Sequence, residues 1–188
     1  NDKMISYVGY TNNIKERLDA SSDIEEKHFD MLLKSFTKMH LCGQISDPIY
    51  HPKLLSLLQN KYDNYKDTQL VVCTNGSGKN KEWWEKAYSI SDKNTKWIFA
   101  LDGLTQEIAN IYRIGTNADN VKDVMVLGTS KNIDIEWQYL VFEHNEHEVE
   151  DAMKFALDNN ITFSLTRPDR FGSKDHNLKP STKNEWVN

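Results

Sequence analysis

The chain predicts an α/β fold built on a parallel sheet, and three observations carry that prediction. Five short runs rich in Val, Ile, Leu and aromatic residues recur along the sequence. Segments with helical periodicity separate them, and strands alternating with helices make βαβ units. The best formed run, Leu70-Val71-Val72-Cys73, is continuously apolar, as expected of a strand buried on both faces.

The elements follow in order. Residues 1–20 show no clear pattern beyond one helical turn's spacing at Ile14 to Leu18. Ser22-Asp23-Ile24-Glu25 has the form of a capping box. It predicts a helix with Ile24, His28, Leu32 and Phe36 on one face and Phe29 and Leu33 beside them. Met39 to Cys42 is the first strand. Pro52, at the position where its missing N–H costs least, opens a helix carrying Leu54, Leu55, Leu57 and Leu58. Gln69 to Thr74 is the second strand. Lys81 to Tyr88 is a helix with Trp83 and Trp84 as packing residues, and Trp97 to Leu101 the third strand. Helices at Gln106 to Tyr112 and Asn120 to Leu127 come next, the latter with Val121, Val124 and Met125 inward. Ile135 to Phe142 is the fourth strand. Asn145 and Glu148 form a cap-like pair ahead of a helix holding Val149, Ala152, Met153, Ala156 and Leu157, and Ile161 to Leu165 is the fifth strand.

At 188 residues and 38% hydrophobic content the chain can bury one real core, so residues 1–167 are expected as one domain and residues 168–188 as a polar tail or linker. A net charge of −5 with scattered basic residues gives no footprint for nucleic acid or an anionic membrane. No window has the apolar length of a membrane span and no signal peptide is recognised. The two cysteines, Cys42 and Cys73, do not make a disulfide framework. Both lie in apolar runs, where cysteine behaves as a small core hydrophobe, and a cytoplasmic location is expected. Asn75-Gly76-Ser77-Gly78-Lys79 lacks P-loop spacing, and no nucleophile elbow occurs.

Chemistry-bearing residues cluster where strands end, the place where α/β proteins bind small ligands. After the first strand, Gly43 and Asp47-Pro48 offer bare carbonyls and one carboxylate, an acceptor set for an ammonium group; the competing reading is an Asx-Pro turn. Thr74 and Asn75 bring a hydroxyl and an amide, suited to ribose hydroxyls or a carboxylate, although Asn75-Gly76 is also a turn dipeptide. Asp102, before Gly103, faces the mouth of the sheet or caps the helix near Leu104. Arg113, in Tyr112-Arg113-Ile114-Gly115, suits a bidentate carboxylate contact or a surface ion pair. In the fourth strand Glu136, Gln138 and Leu140 alternate with Trp137, Tyr139 and Val141. This places Glu136 and Gln138 in a polar cavity, or puts Glu136 in water on an edge strand. His144 and His147 have a metal-like spacing, but the acids beside them equally favour a helix N-terminus, and no metal ligand is assigned. His51 reads as a turn histidine.

Taken in order, these motifs resemble those of radical S-adenosylmethionine (radical SAM) enzymes. In that family the second strand ends in a Gly-Gly-Glu-Pro-like motif followed by His-Pro, matched here by Gly43 to Pro48 and His51-Pro52. The third often ends in Thr-Asn-Gly, here Thr74-Asn75-Gly76, and the fourth in Leu-Asp-Gly, here Leu101-Asp102-Gly103. The resemblance runs from about Asp23 to Thr166. It implies a partial (β/α)6-type open barrel with about five βα units visible and the first strand missing, the chain being cut from a longer one that begins before Asn1. It further implies S-adenosylmethionine as cofactor, held by Gly43, Asp47, Pro48, Thr74, Asn75, Asp102, Arg113, Glu136 and Gln138. The full-length protein would carry a [4Fe-4S] cluster, draw electrons from a donor such as ferredoxin or flavodoxin, and abstract hydrogen from an unidentified substrate. One departure is plain: the family's Cys-x-x-x-Cys-x-x-Cys loop is absent, so the cluster ligands are not in this chain and the chain alone is expected to be inactive. The alternative is a degenerate, non-catalytic barrel that binds a nucleoside ligand or a protein partner. An unrelated barrel or doubly wound enzyme would be told apart by its strand order.

Overall fold

Buried parallel strands need continuous or strictly alternating apolar residues, and the five runs fold accordingly. The computed structural model describes residues 24–43, 47–168 and 178–183. Its sheet contains β1 (Lys38–Cys42), β2 (Gln69–Thr74), β3 (Thr95–Ala100), β4 (Asp134–Leu140) and β5 (Thr162–Thr166), hydrogen-bonded in chain order. Every neighbouring pair is parallel. Sequential order without a switch point separates this sheet from the doubly wound alternative. It is the open βα array expected of a partial barrel.

The helices are α1 (Glu26–Ser35), which precedes β1, and the crossovers α2 (Leu54–Asn64), α3 (Lys81–Ser89), α4 (Gln106–Tyr112), α5 (Ala118–Ser130) and α6 (Val149–Asp158). Side chains of one parity point to them. Met39, Leu70, Val72, Trp97, Phe99, Ile135, Trp137 and Tyr139 are buried in a single core with helix residues such as Leu57, Trp84, Val121 and Ala152. Aromatic rings dominate this layer: Trp84 meets Trp97 at 5.4 Å between centroids, and Trp137 meets Phe163 at 5.3 Å. Lys61 is buried as well, its Nζ 2.6 Å from Asp92 Oδ1, tying α2 to the turn before β3. A buried ammonium is tolerated because it is paired.

The structure corrects several local expectations. Pro52 does not open α2, which starts at Leu54; Pro48 instead starts a short 3-10 turn over Pro48–Tyr50. His51 separates the two, its Nδ1 accepting from Lys53 N at 3.1 Å. The inward face of α1 centres on Phe29 and Leu33, while His28 is exposed. Ser22 and Asp23 of the expected capping box lie outside the described residues. α5 runs from Ala118 to Ser130, longer than its apolar core, because Asn117 caps it by accepting from Asn120 N. Asn145 and Glu148 make no side-chain cap where a cap-like pair was expected; both reach across to a neighbouring loop. β4 stops at Leu140, and Phe142 instead forms an isolated antiparallel bridge with Pro180.

Candidate functional site at the C-terminal rim and open face

A parallel sheet sends all its strand ends to one rim. Gly43, Asp47 and Pro48 after β1, Thr74 and Asn75 at the end of β2, and Asp102 after β3 therefore share one edge of the sheet. Gln44, Ile45 and Ser46 lie outside the described residues.

Asp47 joins the first two strand ends. Its Oδ1 accepts from Ile49 N at 3.1 Å, which caps the 3-10 turn, and its Oδ2 accepts from Asn75 N at 2.6 Å. The Asx-Pro turn and the rim carboxylate are thus the same group. Two of the roughly four lone-pair positions of a carboxylate are used this way, leaving acceptor capacity toward the rim. Thr74 Oγ1 accepts from Gly76 N at 3.0 Å, and Asn75 Oδ1 from Ser77 N at 2.8 Å. Gly76 is required here: its φ is +73°, and a Cβ would lie 2.9 Å from the Phe99 ring.

The ends of β3 and β4 are joined by a buried polar network. Asp102 is fully buried and does not cap a helix; Thr105 caps α4. Asp102 Oδ1 accepts from Leu140 N at 2.7 Å, and Oδ2 from Arg113 Nε at 2.6 Å. Burial pushes the Asp102 carboxyl above its usual range, with the Arg113 charge and the Leu140 amide opposing. Asn145 Nδ2 donates to Asp102 O and Leu140 O, and its Oδ1 accepts from Phe142 N at 2.7 Å. Glu148 crosses the same gap, accepting from Leu104 N at 2.7 Å and Thr105 Oγ1 at 2.6 Å. Trp137 Nε1 donates to Leu101 O at 2.7 Å. The backbone of α4 also closes on Gly103, where a Cβ would lie 2.8 Å from Ala109 Cα.

Arg113 uses its Nε on Asp102 and is about a quarter exposed. Its terminal nitrogens make no hydrogen bond among the described residues. Asn145 and Glu148 matter to this rim, yet their spacing suggested only a local helix start. The partners that matter, Asp102 O for Asn145 and Leu104 and Thr105 for Glu148, are some forty residues away, so no short-range pattern could reveal them.

The other parity of the strands forms an open face. Cys42, Cys73, Ile98, Glu136 and Thr162 stand in one register row, and Ala100, Gln138 and Ser164 in the next. Except for exposed Cys42 and Thr162, these residues are half-buried. β4 lies between β3 and β5, so Glu136 is not on an edge strand. Its carboxylate pairs with Lys96 Nζ at 3.0 Å on this face. The cysteines correct their core assignment, since Cys42 is exposed and Cys73 half-buried. Two thiols do not fit a [4Fe-4S] cluster, which needs three converging thiolates in this type of enzyme. Among the described residues no group of three or more His, Cys, Asp or Glu could hold a metal ion. His144 stacks on Phe142 at 5.2 Å, and His51 Nε2 lies 3.1 Å from Ile24 O. No helix among the described residues is long and apolar enough to cross a membrane.

The chain matches no protein-family model, and no curated protein matches it at a significant level. Solved structures do match. SuiB from Streptococcus suis aligns with a TM-score of 0.68 at 14% identity, over 82% of this chain and 36% of SuiB. SuiB bound to S-adenosylmethionine gives 0.65 at 14% identity, over 79% of this chain and 34% of that one. SuiB bound to the precursor peptide SuiA gives 0.62 at 14% identity, over 76% and 31%. The chain spans about a third of the length of these structures. What it shares with SuiB at this identity is the fold, an open parallel βα sheet.

Proposed function

We propose that the chain forms part of the cofactor- and substrate-facing wall of a radical SAM enzyme, with S-adenosylmethionine lying across the C-terminal ends of β1 to β4. The observation that carries this reading is the convergence of ordered motifs on one rim: Gly43 with Asp47-Pro48, Thr74-Asn75, and Asp102 with Arg113. Support comes from SuiB, which shares the fold and has been solved with S-adenosylmethionine bound.

The donor set suits the cofactor. The free acceptor positions of Asp47 and the carbonyl of Gly43 would take the ammonium group. The terminal nitrogens of Arg113 would take the carboxylate, with Asp102 holding the guanidinium in place through Nε. The amide of Asn75 would face the ribose, and Glu136 and Gln138 the substrate side of the open face. The Thr74 hydroxyl is buried on the helix-covered side and accepts from Gly76 N, so it shapes the turn instead of reaching the ligand. When bound, S-adenosylmethionine supplies the radical chemistry of hydrogen abstraction. The residues of this chain bind it, orient it and exclude water around it. The iron-sulfur cluster belongs to residues outside this chain, as does the contact with an electron donor such as ferredoxin or flavodoxin. The cytoplasm is the compartment that suits such chemistry.

Calorimetric titration tests the reading. S-adenosylmethionine should bind the chain, and Asp47→Asn should weaken binding by about tenfold, the worth of one charge-assisted hydrogen bond. A thermal melt of the same variant separates lost binding from lost folding. Absence of binding to a well-folded wild-type chain, or equal affinity in the variant, would contradict it. Binding without cofactor cleavage in the full-length protein would favour the non-catalytic barrel.

A further inference from the structure

We propose that Cys42 and Cys73 are a thiol–disulfide exchange site: Cys42 attacks a low-molecular-weight disulfide, and Cys73 resolves the adduct into a disulfide between β1 and β2. The inference does not rest on S-adenosylmethionine binding.

Geometry carries it. The two residues are register partners on adjacent parallel strands, and their sulfurs are 3.1 Å apart. Neighbouring strands lie about 4.8 Å apart, within the Cα separation a disulfide spans. The side chains need only close the remaining gap by small rotations. Cys42 is the exposed member and Cys73 the half-buried one, the division of labour expected of attacking and resolving thiols. Cys42 is exposed at its strand end, which gives a small disulfide its approach from solvent.

Electrostatics agrees with the geometry. In the neutral pair either thiol can donate, but once Cys42 ionises Cys73 must be the donor. That hydrogen bond brings Cys42 down to about 7, so a large share of it is thiolate at neutral pH. Cys73 is pushed up, first by the same hydrogen bond, then by burial, by the Cys42 charge itself, and by Glu136 and Asp47. Only one of the two is therefore a nucleophile at the start. Once Cys42 is tied up in a mixed disulfide, its hydrogen bond and its charge no longer hold the proton on Cys73.

The chemistry balances. The Cys42 thiolate attacks one sulfur of the small disulfide, forming a mixed disulfide and expelling a thiolate. That thiolate takes the Cys73 proton, and Cys73 then attacks Cys42 Sγ and expels the second small thiolate. The second thiolate takes up the proton that Cys42 released on ionising. Two protein thiols are oxidised and one small disulfide is reduced to two thiols.

Intact-mass measurement after incubation with oxidised glutathione tests the proposal. The wild-type chain should lose two hydrogens, carry no adduct and form no disulfide link to a second chain. Cys73→Ala should stop at one glutathione adduct on Cys42, and Cys42→Ala should react several-fold more slowly than either. A measurement on the wild-type chain alone stands in if a variant fails to fold. The pH dependence of Cys42 alkylation should have its midpoint at about 7. Glutathione on both cysteines of the wild type, disulfide-linked dimers, or a midpoint at the ordinary thiol value of about 8.5 would each overturn it.

Discussion

The two faces of the sheet use the same strands for opposite ends. On the helix-covered face Trp97, Phe99, Trp137 and Tyr139 are fully buried and in ring contact with their neighbours. On the open face Cys42, Cys73, Lys96, Glu136 and Gln138 keep partial contact with solvent, and few are apolar. Because side chains alternate along each strand, one residue's step separates a position that holds the fold from one free to bind. Stability is thus concentrated on one face, which lets the other carry polar groups that a packed core would not tolerate.

The largest effect is expected on the covered face. Trp137→Ala removes ring contacts with Phe155 and Phe163 and the bond to Leu101 O. It should cost about 3–5 kcal/mol of unfolding free energy in a denaturant titration. A loss below about 1 kcal/mol would mean that the aromatic layer does not hold the sheet.

The rim, where the two faces meet, should behave like the core despite its polarity. Asp102→Ala strips Leu140 N and Arg113 of a buried partner, and about 3 kcal/mol should be lost. If Asp102 were merely a ligand group, its removal would spare the melting temperature.

A smaller effect depends on pH. Glu146 accepts from Ser181 Oγ, Thr182 N and Thr182 Oγ1, and these bonds draw its carboxyl down from 4.5 to about 2. The folded chain then binds this proton less tightly than the unfolded one. The stabilisation is complete above about pH 4.5 and lost as pH falls through about 2. Protection of the Thr182 amide, taken relative to its intrinsic exchange rate at each pH, should fall across that window, and Glu146→Gln should flatten the change.

The open face should respond least. Gln138→Ala is expected to shift stability by no more than about 0.5 kcal/mol in the same titration. A large loss there would erase the contrast between the faces.

Much of this contrast was legible in the residues. Trp97 to Leu101 and Gln69 to Thr74 announce buried strands because a parallel sheet demands apolar runs, and the alternation of Glu136 and Gln138 with Trp137 and Tyr139 already separates two faces. The position of the cysteines was legible too: Cys42 shares the parity of Lys38 and His40, and Cys73 that of Gln69. Reading each as a small hydrophobe overlooked that parity. Pro48 and Pro52 carry the same local signal, so only the packing of the His51 turn decides which one starts a helical turn. Asn145 and Glu148 were hidden for a different reason. The bonds of Glu148, and the bond from Asn145 to Asp102 O, join loops far apart in sequence, and local spacing records nothing of such partners.

The central claim is that the open face and its C-terminal rim form the cofactor wall, and a backbone amide map on titration with S-adenosylmethionine tests it most directly. Shifts should gather at Gly43, Asp47, Asn75, Gly76 and Gly103 at the rim and extend to Gln138 on β4. They should leave Lys38, Gln69, Thr95 and Asp134 at the opposite ends of the strands unmoved. Shifts centred on those opposite ends or on the helix-covered side would contradict it, as would a spectrum that saturating cofactor leaves unchanged.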